Sequence, residues 1–286
     1  MKYILDAMVM LKFDEPVRDV ILVRYRSNPE MYKSAAQTAY QSDGFDYPIC
    51  KYRPLDRIVI WCCLLHQAMY RYEQAGVPEN VTYSTVWEVA RLANQYHKKT
   101  GRIGLSKDQA IWLRHIYNTK LFQLGSLQFQ MFEMVYLDKE GCGEDYIRFS
   151  ESQKQMLPQG TPVINVHIPD EADLTQDAVT DAFALADSFF KKIFPSFQPK
   201  VYLCYSWLLY PPMDVLLPAE SHIRAFASRF TVIGAVSDPY GADAVKYIYG
   251  KRYARKADYP QYTTLQRNVL GNFSKLGMAC GIIEIT

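Results

Sequence analysis

The chain has 286 residues, 49% hydrophobic and 22% charged, with 14 Gly and 15 Pro, a composition that excludes a disordered, collagen-like or low-complexity protein. At roughly 150 residues per domain, this length suits about two domains or one large one. Lys and Arg number 32 against 30 Asp and Glu, a net charge of +2, which gives no global electrostatic basis for binding nucleic acid or an anionic membrane.

The N-terminus lacks the apolar run of a secretory signal, because Asp6, Lys12 and Asp14 interrupt it. The first 50 residues are expected to form short helices. From Pro54 to Ala75 apolar residues crowd one side of a helical pattern, which Gly76 and Pro78 close. Its apolar run Ile58 to Leu65, between Arg57 and His66, is far shorter than the ~20 residues a bilayer requires. Thr85 and Glu88 have capping-box spacing and predict a helix start near Ser84 or Thr85; His97, Lys98 and Lys99 before Gly101 mark its end. Ser106 and Gln109 predict the start of the next helix, running through Ala110, Leu113 and Tyr117.

After Lys120 the period changes from helical to alternating. Leu127 to Met131 and Val163 to Ile168 alternate apolar and polar residues and are predicted strands, with a further short strand at Glu144 to Phe149 between stretches of turn chemistry. Asp173 or Thr175 is expected to cap a helix with a core stripe of Val179, Ala182, Phe183, Ala186, Phe189, Phe190 and Ile193, stopped by Pro195. Val201 to Tyr210 is a predicted buried strand, followed by a Pro211-Pro212 turn and a short helical stretch to about Phe230; Thr231 to Val236 and Cys280 to Ile285 are two more strand candidates. The reading is α+β, a helical N-terminal domain over 1–120 followed by a mixed, largely antiparallel sheet with flanking helices over 121–286. The six cysteines contain no C-x-x-C pair, so neither a zinc site nor a disulfide framework is expected, and a reducing, cytoplasmic setting fits.

Phe122 to Phe129 (FQLGSLQF), His167-Ile168-Pro169, Ser206 to Leu209, Ser221-His222-Ile223 and Thr263 to Arg267 together resemble bacterial acyltransferase-domain proteins with a GNAT-like C-terminal domain. The helical first part is similar to the N-acyltransferase N-terminal domain that accompanies it. The resemblance implies acyl transfer from acyl-CoA as co-substrate, with no metal, to a small-molecule substrate; neither nucleic acid nor membrane is an expected partner. This sequence carries Ser126, Gln130 and His222 where such proteins often have Arg, Glu and Asn. GNAT enzymes offer a glycine-rich loop to the CoA pyrophosphate at a helix start; the corresponding stretch, Pro169 to Leu174, has no glycine and carries Asp170, Glu171 and Asp173. The basic cluster Lys251, Arg252, Arg255 and Lys256 is either a solvated loop or a receiver for CoA phosphates.

Strand alternation puts Gln128 with Gln130, Asn165 with His167, and Cys204 with Ser206, and if these sides coincide they line one polar cleft. The alternative is a solvent-facing side of the sheet. His167 is the candidate catalytic base, or else a histidine holding the Ile168-Pro169 turn. Ser206 is the candidate catalytic donor, to a developing oxyanion or to the leaving thiolate, or else a hydroxyl satisfied by backbone. Candidate substrate-binding residues are Gln128, Asn165, Trp207, Ser221 and Arg229, whose structural alternatives are core packing for Trp207, an N-cap for Ser221 and an ion pair for Arg229. The expected function is N-acylation of a small amine from acyl-CoA; the alternative is a catalytically silent GNAT-like ligand-binding protein.

Overall fold

A computed structural model of the chain describes residues 2–42, 44, 46–143, 146–238 and 242–285. The chain separates into two compact units, Met1–Gln123 and Leu124–Thr286.

The first unit is helical: α1 (Lys2–Met10), α2 (Glu15–Ser27), α3 (Pro29–Thr38), α4 (Pro54–Gln74), α5 (Glu79–Val86), α6 (Glu88–Thr100), α7 (Lys107–Trp112) and α8 (Arg114–Tyr117). The long α4 buries Ile58 to Cys62 without interruption and packs against α1, α2, α3 and α5. A helix apolar on every side must be surrounded. Its buried Asp56 accepts from Arg24 Nε at 2.7 Å and from the Tyr32 hydroxyl at 2.5 Å. Burial pushes that carboxyl upward, but these bonds outweigh it and hold the group below its ordinary value. Among the described residues, no helix is long and apolar enough to cross a membrane.

Local signals at the ends of these helices divide into two outcomes. Ser106 and Gln109 form the expected reciprocal cap, and Gly101 ends α6 in the left-handed conformation. Thr85 and Glu88 do not cap. Thr85 lies inside α5, where its hydroxyl donates to Val81 O at 2.6 Å and accepts from Gln123 N at 2.9 Å, while buried Glu88 pairs with Arg91. A new helix starts only after Trp87.

The second half of the sequence supplies an α+β architecture, a six-stranded mixed sheet of order β1-β2-β3-β4-β6-β5. Its strands are β1 (Leu121–Leu124), β2 (Leu127–Glu133), β3 (Pro162–His167), β4 (Val201–Ser206), β5 (Thr231–Ser237) and β6 (Gly277–Glu284). The helices are α9 (Lys139–Cys142), α10 (Glu151–Met156), α11 (Gln176–Ile193), α12 (His222–Ala227), α13 (Ala242–Tyr249) and α14 (Thr264–Val269). Of the strand expected over 144–149, residues 144 and 145 lie outside the described residues and 146–149 form no strand. That stretch instead belongs to a cover over one face of the sheet. Tyr136, Ile147 and Leu157 pack on Val163, Leu203 and Cys280, and Lys154 ties α10 to Asp138 at 2.9 Å.

The opposite face carries α11. Phe183 packs edge-on against Phe129 of β2 and Tyr202 of β4, with ring centres 5.6 and 4.9 Å apart. The strand expected over 201–210 stops at Ser206, because Trp207–Leu209 turn into a 3₁₀ helix. A second apolar cluster gathers Leu208, Tyr249, Tyr259, Val269 and Leu276, with Ile168, Leu174 and Trp207 at its margin. None of the six cysteines takes part in a disulfide.

Candidate active site

β2 and β3 run antiparallel with Gln128 opposite His167 and Gln130 opposite Asn165. Directly opposed residues share a face, so the register gathers these four polar side chains. Gln128, Gln130 and Asn165 are buried. The Oε1 atom of Gln130 lies 2.8 Å from His167 Nε2 and receives Asn165 Nδ2 at 3.5 Å. An amide oxygen can only accept, so Nε2 carries the hydrogen and the lone pair of His167 stands on Nδ1. Burial pushes the imidazole down to about 4, so the ring is neutral at pH 7. A base tuned near neutrality is not what this environment produces.

Asn165 also pairs in parallel with Leu203 of β4. By alternation Leu203 and Tyr205 share the face of His167, whereas Cys204 and Ser206 point to the face of α11. The single polar cleft expected from all three strands therefore does not form. Alternation within each strand was legible, but the phase between β3 and β4 is set by their pairing, which no single segment encodes. Tyr205 also lies on the His167 face, and its aromatic side chain within an apolar strand gives no local sign of a role there. Its hydroxyl donates to Val135 O at 2.8 Å, anchoring the cover, and burial holds that hydroxyl far above its ordinary value.

The remaining candidates lie apart from this row. Ser206 Oγ accepts the amide hydrogen of Leu208 at 3.1 Å and so caps the 3₁₀ turn. Trp207 is half-buried at the margin of the second apolar cluster. Ser221 occupies the N-cap position of α12, but its side chain makes no capping hydrogen bond. Instead it lines a cavity of about 410 Å³ with Gln176, Asp177, Glu220 and His222. Arg229 donates to Gln176 O at 3.1 Å and Thr180 Oγ1 at 2.7 Å, which ties the strand β5 side to the start of α11. A carboxylate partner for Arg229 is absent among the described residues. It borders a cavity of about 300 Å³ that also meets Tyr202 and Asp187.

Between β3 and β4 the pairing is short. Only Ile164 with Tyr202 and Asn165 with Leu203 are matched, although the strands continue to His167 and Ser206. Past Asn165 and Leu203 the two strands have no further register partners. Unpaired backbone groups need another partner, water or a ligand. Both strand ends lead away from this opening, β3 into the loop before α11 and β4 into the 3₁₀ turn. In that loop Asp173 Oδ1 accepts from Thr175 N at 2.9 Å, a bond that lowers the carboxyl's pKa. Among the described residues, no cluster of His, Cys, Asp or Glu stands close enough to hold a metal ion.

Comparison with known proteins places this geometry. Residues 121–283 match the family of the GNAT-like C-terminal domain. The whole chain superposes on 88% of an acyltransferase in complex with decanoyl-CoA and teicoplanin, with a TM-score of 0.76 at 18% identity. It does so equally on 88% of an acyltransferase variant in complex with octanoyl-CoA, with a TM-score of 0.76 at 17% identity. For an acyltransferase in complex with CoA and 10C-teicoplanin, 98% of the chain covers 87% of that protein, with a TM-score of 0.75 at 17% identity. No curated protein matches the sequence. At these identities the likeness shows the fold.

Proposed function

The chain belongs to the family of the GNAT-like C-terminal domain, and from that premise we propose that it transfers an acyl group from acyl-CoA to a small amine at the opening between β3 and β4. The observation that carries this reading is the early end of the β3–β4 ladder, two matched pairs between strands that both run further. An extended thioester arm rich in amides suits unpaired strand edges, because it can hydrogen-bond with them as a strand would. The solved structures of similar fold hold acyl-CoA or CoA, which supports the choice of donor.

In this reading the two sheet faces divide the work. The amine approaches from the face of His167, and the thioester sulfur lies toward the face of Ser206. The amine nitrogen attacks the thioester carbonyl, the C–S bond breaks, and the amine proton passes to the imidazole of His167 and from there to solvent, which protonates the departing thiolate. A weak base suffices for this transfer, since a nitrogen already bonded to the carbonyl carbon is far more acidic than a free ammonium. The amine must therefore arrive uncharged. Ser206 accepts Leu208 N–H through its oxygen, a bond that does not use its own hydroxyl proton, so the hydroxyl can donate a hydrogen bond to the departing sulfur while keeping its proton. Gln128 and Asn165 stand beside His167 to position the amine.

Calorimetric titration with acetyl-CoA and longer acyl-CoAs, followed by a transfer assay on small amines, tests the proposal. Binding and turnover are expected, and His167→Ala should lower kcat by roughly 10²- to 10⁴-fold in protein that still unfolds cooperatively, at a stability cost of about 1 to 3 kcal/mol for the hydrogen bond lost to Gln130. Absence of binding at millimolar ligand would sink it. The acidic residues of the loop before α11 favour the second reading, a catalytically silent ligand-binding protein, which predicts binding without turnover.

A further inference from the structure

We propose that the phosphates of the donor are held by the basic chain between β5 and β6, around Lys251 and Lys256, and not at the start of α11. The inference rests on the acyl-CoA reading above and names where its charged half is bound. Four observations carry it.

The stretch 242–276 holds seven Lys and Arg against two Asp, whereas the entire chain carries a net charge of only +2. Of those acids, Asp258 is occupied by Arg255 through contacts of 2.9 and 2.8 Å. Lys251 and Lys256 are exposed and have no carboxylate partner among the described residues. Their ammonium groups are also placed by the fold. Lys251 Nζ sits 4.9 Å from the centre of the Tyr253 ring, and Lys256 Nζ folds over the backbone at Gly271, where an added Cβ would come within 2.6 Å of it.

Position is the third observation. Tyr249, Tyr259, Val269 and Leu276 of this stretch pack in one cluster with Leu208, which follows the end of β4, and with Ile168 and Leu174, which bracket the loop after β3. The basic chain therefore abuts both strand ends that bound the opening. The fourth observation is the charge on the competing side. Residues 168–177 contain Asp170, Glu171, Asp173 and Asp177 with no Lys or Arg, and Glu220 lines the cavity at the same place. A diphosphate leaving the opening meets repulsion in one direction and unpaired cations in the other.

The test compares CoA with pantetheine, which shares the thiol arm and lacks every phosphate. Titration calorimetry on the whole protein should show CoA binding about tenfold or more weakly to the K251E/K256E variant, the loss of two exposed charge contacts, with pantetheine binding unchanged. The milder K251M/K256M variant should fall between. Both lysines are solvent-exposed, and an unchanged thermal midpoint confirms intact folding. CoA bound equally by wild type and both variants would overturn this inference and leave the acyl-CoA reading standing, as would an equal loss for CoA and pantetheine. No CoA binding by the wild type would overturn the acyl-CoA reading itself.

Discussion

Gln130 Oε1 faces His167 Nε2 at 2.8 Å from the adjacent antiparallel strand, so a neutral amide holds the imidazole in one tautomer without offering it a counter-charge. Replacing that amide by a carboxylate changes the charge and little of the shape. With Gln130→Glu the His167 pKa should climb from about 4 by roughly 1 to 3 units, the effect of an opposite charge in direct contact. An NMR titration of the imidazole carbon-bound proton reads it directly. An unchanged midpoint would mean that the two groups do not meet.

The same ring makes stability depend on pH in a defined window. Its pKa is about 4 in the native state and about 6.5 in the unfolded chain. Above pH 6.5 neither state is protonated, so the group contributes nothing. Between pH 6.5 and 4 the unfolded chain binds a proton that the native protein refuses, and stability falls by up to about 3 kcal/mol. His167→Gln removes the titrating group, so the difference in unfolding free energy between variant and wild type should shift in the variant's favour from pH 7 to pH 4.5. Parallel losses in urea unfolding at the two pH values would contradict this assignment.

Ser206 has a structural duty that can be separated from chemistry. Its oxygen receives Leu208 N–H at the start of the 3₁₀ turn, so Ser206→Ala should cost roughly 1 kcal/mol, a typical loss for a cap. Ser206→Asn keeps an acceptor at the same reach and should recover most of that stability. Equal destabilisation in the two variants, measured by denaturant unfolding, would show that the capping bond contributes nothing.

Much of this architecture was legible because local signals and tertiary packing agree. The 54–74 helix, the Ser106–Gln109 cap and the alternation in β2 and β3 each follow from periodicity or side-chain chemistry within a few residues. Thr85 and Glu88 misled because both found stronger partners elsewhere, Val81 and Gln123 for the hydroxyl and Arg91 for the carboxylate. β1 (Leu121–Leu124) is absent from the sequence reading, whose alternation begins at Leu127; its four residues are too short to show a period, and Gly125 joins it to β2 through a tight turn at φ +60°. At the site, the sharing of one side by Gln128 and Gln130, and by Asn165 and His167, follows from alternation, whereas their meeting depends on the β2–β3 pairing across the 134–161 connection. The separation of Ser206 depends on a parallel pairing across the α11 crossover, which is invisible to any local window.

Cys50, Cys62, Cys204 and Cys280 are buried and Cys63 is partly so, whereas Cys142 at the end of α9 is exposed. Burial drives the thiols of Cys62, Cys63, Cys204 and Cys280 upward, away from the reactive thiolate. A maleimide fluorophore or nitroxide spin probe added to the native protein should thus report selectively from the sheet's cover, without any cysteine having to be engineered in or out.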